Sequence, residues 1–134
     1  MARTFMDRVA EAQAEVPVIG VAEARRRLQE EPNTLVVDVR DARDLRATGV
    51  IPGSHHVSLG TLLYKADHSL PEDWRDPALG DKDRPIVTTC GIGAMASIAA
   101  KELKDLGFTN VAILEGGTQG WIDAGQPTEP FTGE

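Results

Sequence analysis

Three nearly unbroken apolar runs constrain this chain more than any other feature: Leu35 to Val39 (LVVDV), Pro85 to Thr89 (PIVTT) and Val111 to Leu114 (VAIL). Each has the length of a strand, and none shows the polar–apolar alternation of a half-exposed one. Such runs suit strands covered on both faces, as in parallel sheets flanked by helices. Helical patterns lie between them, which is the signature of βαβ units. The expected class is α/β. The chain has 134 residues, enough for one domain with a sizeable core. Aromatic residues make up only 4%, so Val, Ile, Leu and Ala must fill that core.

The remaining pattern fills in around these runs. Thr4 to Ala14 reads as a short amphipathic helix with Phe5, Val9 and Ala12 on one side. Val16 to Val21 suits an edge strand at best, because Pro17 cannot donate to a ladder. Ala22 to Glu31 reads as a helix ended by Pro32-Asn33, and a short helical piece is expected near Ala42 to Arg46. A short strand is expected at His56 to Ser58 and a helical turn at Leu59 to Lys65. Asp67 to Arg84, rich in Pro, Asp and Gly, reads as loop broken by one helical turn. Ala94 to Leu106 is the strongest helix, Ala-rich and stopped by Gly107. Gly117 to Ala124 is the last helix. The organisation expected is a helical extension over 1–15, a domain over 16–127 and a flexible tail over 128–134.

Charge and composition exclude several classes. The formal net charge is −7, which speaks against nucleic acid, whose backbone is bound by Lys/Arg clusters. The basic run Arg25-Arg26-Arg27 is flanked by Glu23, Glu30 and Glu31 and reads as a solvated helix face. Asp7, Arg8, Glu11 and Glu15 interrupt the N-terminus, so neither a signal peptide nor a membrane span is read there. A single cysteine rules out an internal disulfide, and a cytoplasmic location is expected. His55, His56 and His68 make a poor metal set, since adjacent residues of a strand face opposite ways. No metal or cofactor is expected.

The segment Thr89 to Ser97 (TCGIGAMAS) carries the chemistry. It joins a buried strand to a long helix, and ligands of open α/β sheets bind at strand carboxyl ends. Gly91 and Gly93 are expected to let the backbone curl with positive φ, turning several N–H groups inward. Those amides and the helix dipole would make an anion cradle around Cys90 and favour its thiolate. A lone cysteine is more often a small buried hydrophobe. Its place at a strand end, beside glycine and before a helix, favours the nucleophile. The same segment fits G-x-G-x-x-A, a dinucleotide-binding fingerprint, with Glu115 ending the next strand. That fingerprint normally opens a domain, and too little chain follows Glu115 to complete a nucleotide-binding half. No G-x-S-x-G nucleophile elbow occurs.

Four segments resemble the rhodanese family. Val36-Val37-Asp38-Val39-Arg40 is similar to its early strand motif, and Gly49-Val50-Ile51-Pro52-Gly53-Ser54 to its G-H-I-P-G-A turn, with Val50 for the usual His. Cys90-Gly91-Ile92-Gly93-Ala94-Met95 resembles its six-residue active-site loop. Gly116-Gly117-Thr118-Gln119-Gly120-Trp121, followed by Gly125-Gln126-Pro127, resembles its closing motif. The likeness spans about Val18 to Pro127, in order and spacing.

This resemblance implies a parallel five-stranded sheet with helices on both faces. It implies sulfur transfer, with Cys90 as the sulfur-carrying nucleophile and the amides of Gly91, Ile92, Gly93, Ala94 and Met95 holding the persulfide. With no second cysteine, the acceptor is expected to be external: cyanide, a cellular thiol or a protein thiol. One departure matters. The sixth loop position, often Arg, Thr or Ser, is Met95, which suggests a larger thiol-borne or protein persulfide as donor rather than thiosulfate. A non-catalytic binding module is the alternative. A phosphatase or arsenate reductase of the same fold wants an Arg six residues after the cysteine, where this chain has Ala96. Asp38 and Arg40 read most simply as a structural ion pair, and Gly116, Gly117 and Trp121 as packing for the last helix.

Overall fold

The computed structural model describes residues 2–133. Its framework is a five-stranded sheet, parallel at every pairing. It comprises β1 (Val18–Ile19), β2 (Leu35–Asp38), β3 (His55–His56), β4 (Ile86–Thr89) and β5 (Val111–Leu114), in the order β1-β5-β4-β2-β3. Among the described residues, six α-helices surround it: α1 (Phe5–Glu15), α2 (Val21–Glu30), α3 (Ala42–Thr48), α4 (Leu59–Lys65), α5 (Ala94–Asp105) and α6 (Gly117–Asp123). The central strands are buried along their whole length, and the two faces divide them residue by residue. Leu35, Val37, Ile86, Val111 and Ile113 join one core cluster with Leu62 of α4 and Ala99 and Leu103 of α5. Val36, Val87, Ala112 and Leu114 join another with Ala24 of α2 and Trp121 of α6. This period-two division explains the unbroken apolar runs, because both sides of the pleat need apolar cover.

The helix ends follow from local chemistry. Thr4 caps α1, accepting from the Asp7 amide while the Asp7 carboxylate accepts from the Thr4 amide, a reciprocal pair that fixes the first turn. Gly107, at φ +98°, ends α5, and the Phe108 amide returns to the Leu103 carbonyl. Arg26 and Arg27 of α2 both pair with Glu23, and Arg26 also with Glu30, so two of the three arginines of the basic run are neutralised by their own helix. Among the described residues, no helix is long and apolar enough to cross a membrane.

Four expectations need correction. Phe5 does not join Val9 and Ala12 in the core; it stays half exposed while those two are buried against the domain. The Asp67–Arg84 segment holds two 3₁₀ turns, Glu72–Trp74 and Pro77–Leu79, and buries Leu79. The short strand begins at His55 rather than His56. Of the segment expected as a flexible tail, 128–134, the described residues 129 and 131 are tied down instead. Glu129 and Val50 exchange both backbone hydrogen bonds at 2.9 Å, the Glu129 carboxylate accepts from the Gly53 amide, and Phe131 meets the His56 ring edge-on.

Candidate active site: a cysteine cradled by its own loop

Cys90 follows β4, the middle strand of the sheet, at its carboxyl end. The helices after β4 and β5 leave toward opposite faces, α5 into one core cluster and α6 into the other. A parallel sheet opens a crevice where adjacent connections diverge in this way. The chain after Cys90 turns at Gly93, which holds φ +102° and serves as the N-cap of α5. Only a residue without Cβ adopts that angle at low cost. Gly91 is not among the positive-φ glycines, and a Cβ there would meet nothing within 4 Å, so one glycine of the expected pair makes the turn.

The turn delivers two backbone amides to the sulfur. The Gly93 N–H donates to Sγ at 3.1 Å and the Ala96 N–H at 3.3 Å. Both lie at the start of α5, where amides lack intrahelical acceptors and the helix dipole is positive. Cys90 is itself 2% exposed. Of the residues expected to hold a sulfur anion, Gly93 does contact Sγ. Gly91, Ile92, Ala94 and Met95 line the space beside it. Ala96, outside the expected set, supplies the second donor, and no side-chain pattern announces a backbone amide.

The loop is held from below by the start of α6. The Thr118 amide donates to the Cys90 carbonyl at 2.8 Å and the Gln119 amide to the Gly91 carbonyl at 3.0 Å. Gly117, at φ +61°, permits that approach: a Cβ there would lie 2.7 Å from the Cys90 carbonyl oxygen and 2.8 Å from the Gly93 nitrogen. Gly117 and Thr118 therefore shape the active loop as well as seating the last helix. From the other side, the Ser97 hydroxyl donates to the Gly93 carbonyl at 2.8 Å and accepts from the Gln13 amide of α1 at 3.1 Å.

A cavity of about 470 Å³ opens over Cys90, walled by Phe5 of α1, Asp44, Ala47 and Thr48 of α3, Arg40, and the loop from Gly91 to Met95. Arg40 is a cation at this wall, yet its charge is already committed. Its Nε and Nη2 grip the buried Asp38 carboxylate at 3.1 and 2.8 Å, and its remaining contacts go to Thr48 Oγ1 and the Gly49 carbonyl. The ion-pair reading of Asp38 and Arg40 thus holds, and Arg40 also forms part of the site's boundary. The three histidines go to separate partners: His55 to Asp76, His56 to the Arg40 carbonyl, and His68 to the Leu79 carbonyl. Among the described residues, no cluster of three His, Cys, Asp or Glu could hold a metal ion.

These features define a class: doubly wound α/β domains that present one cysteine on an anion-binding loop at the end of a central strand. Within that class, the model of the rhodanese-like domain matches residues 21–124, and the chain belongs to the rhodanese-like family. A thiosulfate sulfurtransferase, GlpE, of Stutzerimonas stutzeri is 36% identical over 87 residues, covering 65% of this chain and 69% of that one. A GlpE of Pseudomonas paraeruginosa is 32% identical over 114 residues, 85% of this chain and 92% of its own. Among solved structures, the polysulfide-sulfur transferase homodimer of Wolinella succinogenes is similar with TM-score 0.72 and 29% identity, covering 96% of this chain and 88% of that one. A Rhodopseudomonas palustris protein of unknown function, described as a possible tyrosine phosphatase, has TM-score 0.88, 31% identity and 96% coverage of both chains.

Proposed function

We propose that this protein is a sulfurtransferase that carries a sulfane sulfur on Cys90 as a persulfide. The observation that carries the reading is the pair of amides, Gly93 and Ala96, aimed at Sγ inside an open cavity. In the first step the Cys90 thiolate attacks the outer sulfur of a donor R–S–SH. A bond forms from Sγ to that sulfur, its bond to the donor's inner sulfur breaks, and R–S⁻ leaves with the electron pair. In the second step an external thiolate or cyanide attacks the terminal sulfur, and Cys90 leaves as thiolate. The cradle suits both steps, since prepositioned donors stabilise anionic sulfur without reorganising. The named activities of the GlpE and Wolinella relatives support the same reaction class.

The donor preference follows from charge. Thiosulfate is a small dianion, while the cavity offers Met95 and Ile92 where a cation would help, a guanidinium already neutralised by Asp38, and the Asp44 carboxylate. The favoured donor is therefore a thiol-borne persulfide, small or protein-bound, with an external thiol as acceptor. Turnover with thiosulfate and with glutathione persulfide tests the preference. We expect kcat/KM to favour the persulfide by at least about tenfold, since one lost charge-assisted contact is worth that much. A clear preference for thiosulfate contradicts it.

Phosphate-ester cleavage is disfavoured on the same geometry. Ala96 stands six residues after Cys90 and contributes an amide but no guanidinium, and Arg40 is held by Asp38. Neither can clamp a tetrahedral oxyanion bidentately.

A further inference from the structure

Among the described residues, eight large apolar side chains are exposed: Phe5, Met6, Val18, Leu63, Tyr64, Trp74, Ile92 and Met95. Scattered exposure of this kind is ordinary. Here it is not scattered, because Phe5, Ile92 and Met95 line the Cys90 cavity and Met6, Val18 and Ile92 line the adjoining one. Three of the eight thus line the cavity over Cys90, with Ile92 74% exposed and Phe5 49% exposed, and Met6 and Val18 belong to the neighbouring cavity that shares Ile92. Phe5 is also the one wall residue that comes from α1, which lies outside the segment matched by the family model.

That helix is fixed in place. Val9 and Ala12 are buried, Gln13 bonds Ser97 at the base of the cradle, and Glu15 receives Lys101 and Lys104 of α5. The Thr4–Asp7 capping pair orders the turn that carries Phe5. A half-exposed phenyl ring lining the Cys90 cavity together with Met95 and Ile92 is an apolar surface that a carbon-bearing ligand can cover. Covering it removes area from water at about 25 cal/mol per Å².

We propose that Phe5, Ile92 and Met95 form an apolar subsite for the carbon body of the sulfur donor, and that Phe5 is its specificity-determining residue. The inference rests on the reading of Cys90 as the persulfide carrier. The ligand class is an organic sulfane-sulfur donor with an aromatic or branched aliphatic group next to the transferred sulfur.

Two thiosulfonates, methanethiosulfonate and benzenethiosulfonate, isolate the effect. Each has the form R–SO₂–S⁻ and one negative charge, and they differ in the carbon body. The Cys90 thiolate bonds to the outer sulfur, the S–S bond to the sulfonyl sulfur breaks, and sulfinate R–SO₂⁻ departs with the electron pair. The measured quantity is the ratio of kcat/KM, benzene over methane. We expect a ratio of about ten in the native protein, falling about fivefold in Phe5→Ala, mainly through KM, and largely restored in Phe5→Leu. Met6→Ala, next along the helix but outside the Cys90 cavity, keeps the native ratio and controls for disturbance of α1. A native ratio near one, or a ratio that Phe5→Ala does not lower, overturns the subsite while leaving Cys90 chemistry intact. Failure of both donors to load Cys90 in the native chain overturns the subsite and the carrier reading together.

Discussion

The glycines around Cys90 separate by what a Cβ would meet. Gly91→Ala places its methyl in open space at an ordinary φ, and we expect stability within about 1 kcal/mol of native and undiminished loading of Cys90. Gly117→Ala drives a methyl to 2.7 Å from the Cys90 carbonyl at φ +61°, so the loop must move. We expect a loss of at least about 2 kcal/mol in urea unfolding, with sulfur loading slowed more than tenfold. Equal behaviour of the two variants would contradict the account of how the loop is shaped. Cys90 itself was legible in the sequence because a strand end, a glycine and a helix start coincide there. Ala96 and Gly117 were not, because one acts through its amide and the other through the absence of a side chain.

Among the elements, α3 and the end of β2 form a wall whose strength lies in one buried pair. Asp38 is wholly buried and Arg40 nearly so, and they meet side on with two hydrogen bonds. Arg40→Met leaves Asp38 uncompensated and should cost about 3–5 kcal/mol, whereas adding Asp38→Asn should recover much of that loss. Denaturant unfolding of the single and double variants measures both, and a mild Arg40→Met would show the pair to be dispensable. The central strands and α5 were readable from sequence, since burial on two faces and Ala-rich helical spacing leave strong patterns. The two-residue strands β1 and β3 were placed only to within a few residues, because register with β5 and β2 defines them. Phe5 shares the apolar side of α1 with Val9 and Ala12 yet stays exposed, since helical periodicity shows which residues share a face but not where the domain surface ends.

At the scale of the whole molecule, the chain closes on itself near the Gly49–Ser54 turn. Val50 and Glu129 form an isolated antiparallel bridge, and the Glu129 carboxylate holds the Gly53 amide at 3.0 Å. Removing residues 128–134 deletes these bonds and the Phe131–His56 contact, which should lower stability by roughly 1–3 kcal/mol. It should also speed hydrogen exchange at the Val50 and Gly53 amides, and unchanged protection there would show the terminal segment to be idle. Phe131 apart, a tail of Pro, Thr, Gly and Glu gives no sequence sign of such docking, because the bonds are mostly backbone to backbone and distant in the chain. Fold class, family and the position of Cys90 could be read ahead of the structure; the walls facing the loop could not, since they come from α1 and α3, distant in the chain. The central claim is that this architecture serves to carry sulfur on Cys90. Intact mass of the native protein and of Cys90→Ser, each incubated with glutathione persulfide and separately with thiosulfate, tests it most directly. The account predicts a gain of one sulfur atom in the native chain alone, larger with the persulfide and removed by cyanide. A folded native protein that gains no sulfur from either donor, or a Cys90→Ser variant that gains it equally, would contradict it.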